Sequence, residues 1–195
     1  MQAKSLAFLL IGIGVGFGSM YSFMKDRAPE IVRAEPTPFV PSGSGASQAP
    51  AAPPVDPAHF AQLEAKVQAN PRDFDSLIEL GFLHFEQQNF DQAANWYSKA
   101  LDVRPDDVAV RTDYGTALYN VGKTDQAIAE FRKSLEYDPN HPQGLFNLGV
   151  VLLEVKNDKQ GALENFEKLV AAHPEFPQVP LVKQQIELLK EQQKQ

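Results

Sequence analysis

The sequence predicts an all-α protein: a short solenoid of antiparallel helix pairs with flanking capping helices, preceded by one N-terminal transmembrane helix. Three observations predict it. An uncharged stretch of 18 residues lies near the N-terminus, a Pro/Ala/Ser/Gly-rich segment follows it, and the remaining 139 residues carry a repeat of about 34 residues. The whole chain has 195 residues, no cysteine and a net charge of −7. The missing cysteines exclude a disulfide scaffold, thiolate metal sites and thiol catalysis. The acidic balance argues against a nucleic-acid partner, which requires a basic footprint to displace counterions from phosphate.

Residues 1–27 form the expected anchor. Leu6 to Phe23 carries no charge, and as a helix it would span about 27 Å, close to a hydrocarbon core. Lys4 precedes it, and Lys25 and Arg27 follow it. A cleaved signal is the competing reading, and Gly16-Phe17-Gly18-Ser19 is a poor cleavage site. An uncleaved signal anchor is therefore expected, with the N-terminus cytoplasmic and the repeats extracytoplasmic, on the periplasmic side. Gly12, Gly14, Gly16 and Gly18 allow a homodimer through the anchor. They lie on two helix faces rather than one stripe, which favours simple tolerance of glycine in lipid.

Residues 28–56 are read as a disordered spacer, because 18 of the 29 are Pro, Ala, Ser or Gly. Such a segment cannot bury enough apolar surface to offset ordering entropy. Residues 57–195 hold 14 basic and 21 acidic residues, the whole of the net charge.

Within residues 57–195 the period is visible at four positions. Gly81, Gly115 and Gly149 recur at intervals of 34 and 34. Pro71, Pro105, Pro139 and Pro174 recur at 34, 34 and 35. Ala93, Ala127 and Ala162, and Tyr97, Phe131 and Phe166, recur at 34 and 35. A mid-helix glycine costs about 1 kcal/mol against alanine, so three at one phase require close approach of a partner helix. The alanines are expected to face those glycines, and the aromatic residues to fill the gap between neighbouring pairs. Each proline ends a helix. Gly122 suits a left-handed C-cap, and Asp91 or Thr124 an N-cap.

On these residues the chain resembles the tetratricopeptide repeat (TPR) family over Phe74 to Pro174, with repeats at 74–107, 108–141 and 142–176. It departs from the family at the fourth repeat position, where Leu77, Arg111 and Leu145 replace the common Trp. The third repeat has one extra residue, expected near Gln160-Gly161. Residues 57–70 read as a capping helix with the phase of an unpaired second helix, and residues 178–193 as a C-terminal cap.

The resemblance implies a concave face lined by the first helix of each repeat, and hence a peptide-binding groove. Its candidate residues are Asp75, Ile78, Glu79, Phe82, Asp113, Thr116, Tyr119, Asn120, Phe146, Asn147 and Val150, with Phe85, Glu86, Ala109, Thr112, Gln143, Leu153 and Glu154 at the remaining positions. Five of these 18 are acidic and none is basic. The expected partner is a protein or peptide with basic and apolar residues. TPR co-chaperones that hold an acidic C-terminus use a clamp of Lys, Asn, Asn, Lys and Arg. The matching positions here are Ile78, Phe82, Asp113, Gln143 and Asn147, so such a partner is disfavoured.

No catalytic role is expected. His59, His84, His141 and His173 form no metal-ligand spacing, and His84 occupies a packing position. No nucleophile-elbow, Walker or dinucleotide motif occurs. No cofactor is implied. The expected function is a membrane-anchored adaptor or scaffold of the kind found in bacterial envelope assembly, including cytochrome c maturation. The alternatives are a cytosol-facing receptor for basic amphipathic targeting segments, and a soluble periplasmic TPR protein released by signal cleavage.

Overall fold

The computed structural model describes residues 56–193. Eight helices follow in chain order: α1 (Pro57–Ala69), α2 (Phe74–Glu86), α3 (Phe90–Val103), α4 (Val108–Asn120), α5 (Thr124–Tyr137), α6 (Pro142–Glu154), α7 (Lys159–Ala172) and α8 (Val179–Gln193). Helices pack most closely within the pairs α2/α3, α4/α5 and α6/α7, then on the next helix along the chain, and α4 also touches α6. Among the described residues no helix is long and apolar enough to cross a membrane. The expected anchor, and the spacer up to residue 55, lie outside the described residues.

Helix ends follow local chemistry. Pro71, Pro105, Pro139 and Pro174 each stand two residues beyond the last residue of α1, α3, α5 and α7. There a proline, lacking an N–H, cannot continue the helix. Asp56 accepts from the Ala58 N–H at 2.9 Å and Asp107 from the Val110 N–H at 2.9 Å, capping α1 and α4. The expected caps of α3 and α5 are corrected. Asn89 and Lys123 occupy those N-cap positions without a side-chain capping bond, and their carbonyls accept from the Ala93 and Ala127 N–H groups. Asp91 and Thr124 therefore lie inside the first turn, where Asp91 still complements the helix dipole.

The turns inside the three pairs each hold one residue in the left-handed region: Gln88 at φ 61°, Gly122 at φ 81° and Asn157 at φ 53°. Gly122 is the expected left-handed cap. The extra residue of the third repeat is absorbed between α6 and α7, upstream of Gln160-Gly161. The Asp158 N–H bonds there to the Leu152 carbonyl at 2.8 Å. Gly161 lies in the first turn of α7, where its N–H donates to Asp158 Oδ1 at 2.9 Å.

The glycines mark where the helices of a pair meet, and their partner is not the one expected. A Cβ at Gly81 would stand 2.6 Å from Tyr97 Cε1, at Gly115 2.6 Å from Phe131 Cε1, and at Gly149 2.5 Å from Phe166 Cε1. Each ring therefore lies on the glycine of its own pair instead of filling the gap between pairs. The aromatic edge, not Ala93, Ala127 or Ala162, is the group that demands a glycine. The three alanines are fully buried at 0% exposure and complete the core around the rings.

Arg111, the residue that departs from the family at the fourth repeat position, is buried in the second pair at 4% exposure. Its Nη1 donates to Glu130 Oε2 at 2.5 Å and its Nη2 to the Pro105 carbonyl, while the guanidinium lies 5.7 Å from the Tyr137 ring centre. Leu77 and Leu145 fill the equivalent places in the other pairs at 0% and 1% exposure.

Burial lowers the pKa of two histidines. His84 stacks edge-on against Phe60 of α1 at 4.9 Å, and its Nδ1 is buried without a hydrogen-bond partner. Burial holds its pKa below the usual 6.5, against a smaller opposite pull from Glu64. His141 precedes α6, with Nε2 buried and unpartnered. Burial lowers its pKa from 6.5, with Asp138 and Asp107 pulling upward and His173 downward. His173, at the end of α7, donates from Nε2 to the Asn140 carbonyl at 2.7 Å and joins the loop before α6 to the loop after α7.

Two outcomes are expected. Replacing Gln88 by Gly removes a left-handed cost of about 1 kcal/mol and raises the thermal midpoint by several degrees, to be read by circular dichroism. Because His84 and His141 titrate lower in the folded chain, the unfolded chain binds more protons below about pH 6.5. Stability is therefore full above that pH and falls as pH drops from 7 to 5, by at most about 1.4 kcal/mol per pH unit for each proton. His141→Gln reduces that slope in urea titrations across the range.

Candidate functional site

The candidate face is built by the first helices α2, α4 and α6. Their mutual register follows from the glycine–ring contacts, which hold each of them against its partner α3, α5 or α7. The eleven candidate residues do not share one environment. Asp75 and Asn120 are exposed, and Ile78, Glu79, Phe82, Tyr119 and Phe146 are half-buried. Asp113, Thr116, Asn147 and Val150 are buried, at 4%, 0%, 0% and 8% exposure. For these four the expectation of a face open to a ligand is corrected: they are buried, Thr116 and Asn147 against each other across α4 and α6.

A hydrogen-bonded chain explains how polar residues become buried there. Asn147 Nδ2 donates to Thr116 Oγ1 at 3.1 Å, and Thr116 Oγ1 donates to the Thr112 carbonyl at 2.9 Å. Gln143 Nε2 donates to Asn147 Oδ1 at 2.7 Å, which links the chain to the first turn of α6. Thr112 Oγ1 donates to the Val108 carbonyl at 2.9 Å and lies 2.9 Å from Ser134 Oγ of α5. Each buried group gains a partner, which is the condition for burying it without a large penalty. The sequence signals polar residues at these positions. It gives no sign of the pairing, because Thr116 and Asn147 are 31 residues apart.

Farther along, the Phe146 ring lies 6.0 Å from that of Phe176, just beyond α7. Tyr119 and Glu154 share the end of the α4/α6 contact. Burial raises the Tyr119 pKa, with Glu154 adding to it, and burial raises that of Glu154. Asn120 donates to the Thr116 carbonyl at 2.8 Å. It also lines a shallow polar cleft of about 430 Å³ with Gln88, Asn89, Phe90, Asp91, Gln92 and Val121.

The α2 side differs. Glu79 Oε1 bonds His59 Nε2 of α1 at 2.7 Å, and both side chains remain nearly half exposed. Asp75 and Glu86 are exposed, and Phe85 is buried in the core. Beneath them the Tyr97 hydroxyl is buried without a hydrogen-bond partner. Burial pushes its pKa far up, and Asp113 and Glu86 add to the shift. Three helices thus bring carboxylates and a phenol to one place: Glu86 from α2, Asp113 from α4 and Tyr97 from α3.

Among the described residues no group of three or more His, Asp or Glu is arranged to hold a metal ion. At the five clamp positions, Ile78 and Phe82 are half-buried apolar residues, Asp113 and Asn147 are buried, and Gln143 is bonded to Asn147.

Comparison with known proteins agrees with this architecture. The chain is 29% identical over 90 residues to the peroxisomal targeting signal receptor of Candida albicans, which covers 46% of this chain and 15% of that protein. The chain therefore spans a small part of that relative. The solved structure of MamA superposes with a TM-score of 0.63 at 18% identity, over 69% of this chain and 76% of that one. The first TPR domain of Spaghetti (RPAP3), solved with the HSP90 peptide SRMEEVD, superposes with a TM-score of 0.56 at 16% identity, over 63% of this chain and 94% of that one. These likenesses establish the helical-pair fold. The sequence model of the Cilia and flagella-associated protein 70 middle TPR-like domain matches residues 64–185, from α1 into α8. With well over half of its length matched, the chain belongs to that TPR-like family.

Proposed function

We propose that the chain is an interaction adaptor whose first-helix face holds a segment of another protein rich in apolar and basic side chains. The observation that carries this reading is the chemistry of the accessible part of the face. Half-buried Ile78 and Phe82 share α2 with Asp75, Glu79 and Glu86, half-buried Tyr119 lies near Glu154, and none of the 18 candidate positions is basic. Apolar area supplies affinity, and the single sign of charge selects the partner and steers its approach.

Leu6 to Phe23 anchors the adaptor, and residues 28–56 space the repeats from the bilayer. The support is the uncharged 18-residue stretch and the composition of the spacer. The N-terminus is assigned to the cytoplasm and the repeats to the opposite side, as for other short signal anchors followed by an Ala/Pro/Ser spacer. A role in envelope protein assembly rests on this order of parts alone. A second reading, a cytosol-facing receptor for basic amphipathic targeting segments, is favoured by the sequence likeness to a targeting-signal receptor.

A photo-crosslinking residue at position 82 or 119 is expected to capture a specific protein in cells. The same residue at the exposed position 132 on α5 is expected to capture none. Equal capture from position 132 contradicts the proposed face. With no native cysteine, single cysteines placed in residues 28–56 report orientation. An impermeant thiol reagent labels intact cells if the repeats are exported, and labels only lysed cells if they face the cytosol.

A further inference from the structure

The loops that precede α4 and α6 and the loop that follows α7 meet at one edge of the domain. The residue that opens the first helix changes along that edge. α2 opens on Asp73 and α4 on Asp107, whereas α6 opens on His141, whose ring makes no capping bond. Three titratable neighbours face His141: Asp138 from its own loop, Asp107 from the start of α4, and His173 from the end of α7. Its Nε2 is buried without a hydrogen-bond partner.

His173 has opposite surroundings. Its Nε2 donates to the Asn140 carbonyl at 2.7 Å, and its Nδ1 lies 3.2 Å from Glu175 Oε1. A carbonyl and a carboxylate only accept, so both contacts are met only when both ring nitrogens carry a proton. The Glu175 carboxyl is held below the usual carboxylate range by its own backbone N–H and then by His173. A proton thus finds two acceptors at His173 and none at His141 Nε2. On His141 it would also stand at the positive end of α6 and beside His173, with Asp138 and Asp107 offsetting part of that cost. The same contacts reach the candidate face. The Phe176 N–H donates to the His173 carbonyl at 3.0 Å, and the Phe176 ring lies 6.0 Å from that of Phe146.

We propose that His141 and His173 form a pH-operated clasp. With His141 neutral the loops are held together and Phe176 stays on Phe146. Proton uptake by His141 opens the clasp while α4 and α5 remain folded. The clasp is independent of docking and stands whether or not the face holds a ligand. Its direction follows from proton counts. Burial holds the His141 pKa below 6.5 in the closed form, so the open form binds more protons. Closure is complete above about pH 6.5 and is lost as pH falls, by at most about tenfold per pH unit for one proton.

The test is amide hydrogen exchange by NMR on the full chain at pH 7 and pH 5, with each rate divided by that of an unfolded amide at the same pH. The reporters are the Leu145 and Phe176 N–H groups, bonded to the His141 and His173 carbonyls. The reference is the Ala127 N–H of α5, bonded to the Lys123 carbonyl. From pH 7 to pH 5 the reporters are expected to lose about tenfold more protection than Ala127. His141→Gln, which cannot titrate there, is expected to abolish that difference. Equal loss at reporters and reference overturns the proposal, and so does a difference that persists in His141→Gln. Ring titration of the unsubstituted chain, followed through the histidine Cε1–H signals, is a second readout that does not depend on how the variant folds. His141 is expected to titrate below 6.5, and a midpoint at or above that value also overturns the proposal.

Discussion

The contact between a mid-helix glycine and an aromatic ring sets the geometry of everything else in this chain. With no side chain at Gly81, Gly115 and Gly149, the rings of Tyr97, Phe131 and Phe166 press onto backbone. There is no space for even one methyl group at any of the three places. Protein interiors are packed near crystal density, so such a contact fixes spacing and rotation together. Because the same contact recurs three times at one phase, the three pairs have one geometry and stack as repeats. The first helices α2, α4 and α6 are then brought into a common register, and pairs of side chains 31 residues apart become neighbours.

What varies within this uniform frame is the chemistry of the first-helix positions. A uniform backbone places positions 82, 116 and 150 equivalently, and the chain puts Phe, Thr and Val there. Thr116 finds Asn147 of the next first helix, and a buried hydrogen bond closes that contact. Phe82 stays half-buried, on the same helix as exposed Asp75 and Glu86. Burial of Thr116 and Asn147 is thus a joint property. Either residue alone would be an unsatisfied polar group in a core, and together they form a satisfied bridge. Arg111 follows the same logic: Glu130 and the Pro105 carbonyl make its burial tolerable at a position filled by leucine in the other two pairs.

The periodic part of the structure was legible in the sequence because helix-ending prolines and helix-contact glycines act locally. Pro105 ends α3 whatever surrounds it, and Gly122 adopts its left-handed turn at no steric cost. The partner of each glycine was less legible. Glycine and alanine at one phase predict small residues facing each other, whereas a flat ring edge is the group that tolerates no Cβ beside it. The N-terminal limits of α3 and α5 were misplaced because backbone carbonyls of Asn89 and Lys123 open those helices, without the side-chain cap that a sequence displays. At the candidate face, the 3.6-residue pattern identified which side of each first helix turns from its own partner. It could not show that Asp113, Thr116, Asn147 and Val150 are buried, because burial such as that of Thr116 and Asn147 depends on pairings between distant residues.

The most direct test of this account is a double-mutant cycle on Gly115 and Phe131, followed by urea unfolding. Gly115→Ala alone should destabilise by about 1–3 kcal/mol, because a Cβ there overlaps a ring that is fully buried. In the Phe131→Leu background the same substitution should cost far less, a coupling of at least about 1 kcal/mol, well beyond the additivity of independent sites. Additive effects, or a stabilisation by Gly115→Ala of about 1 kcal/mol as helix propensity alone dictates, would contradict it.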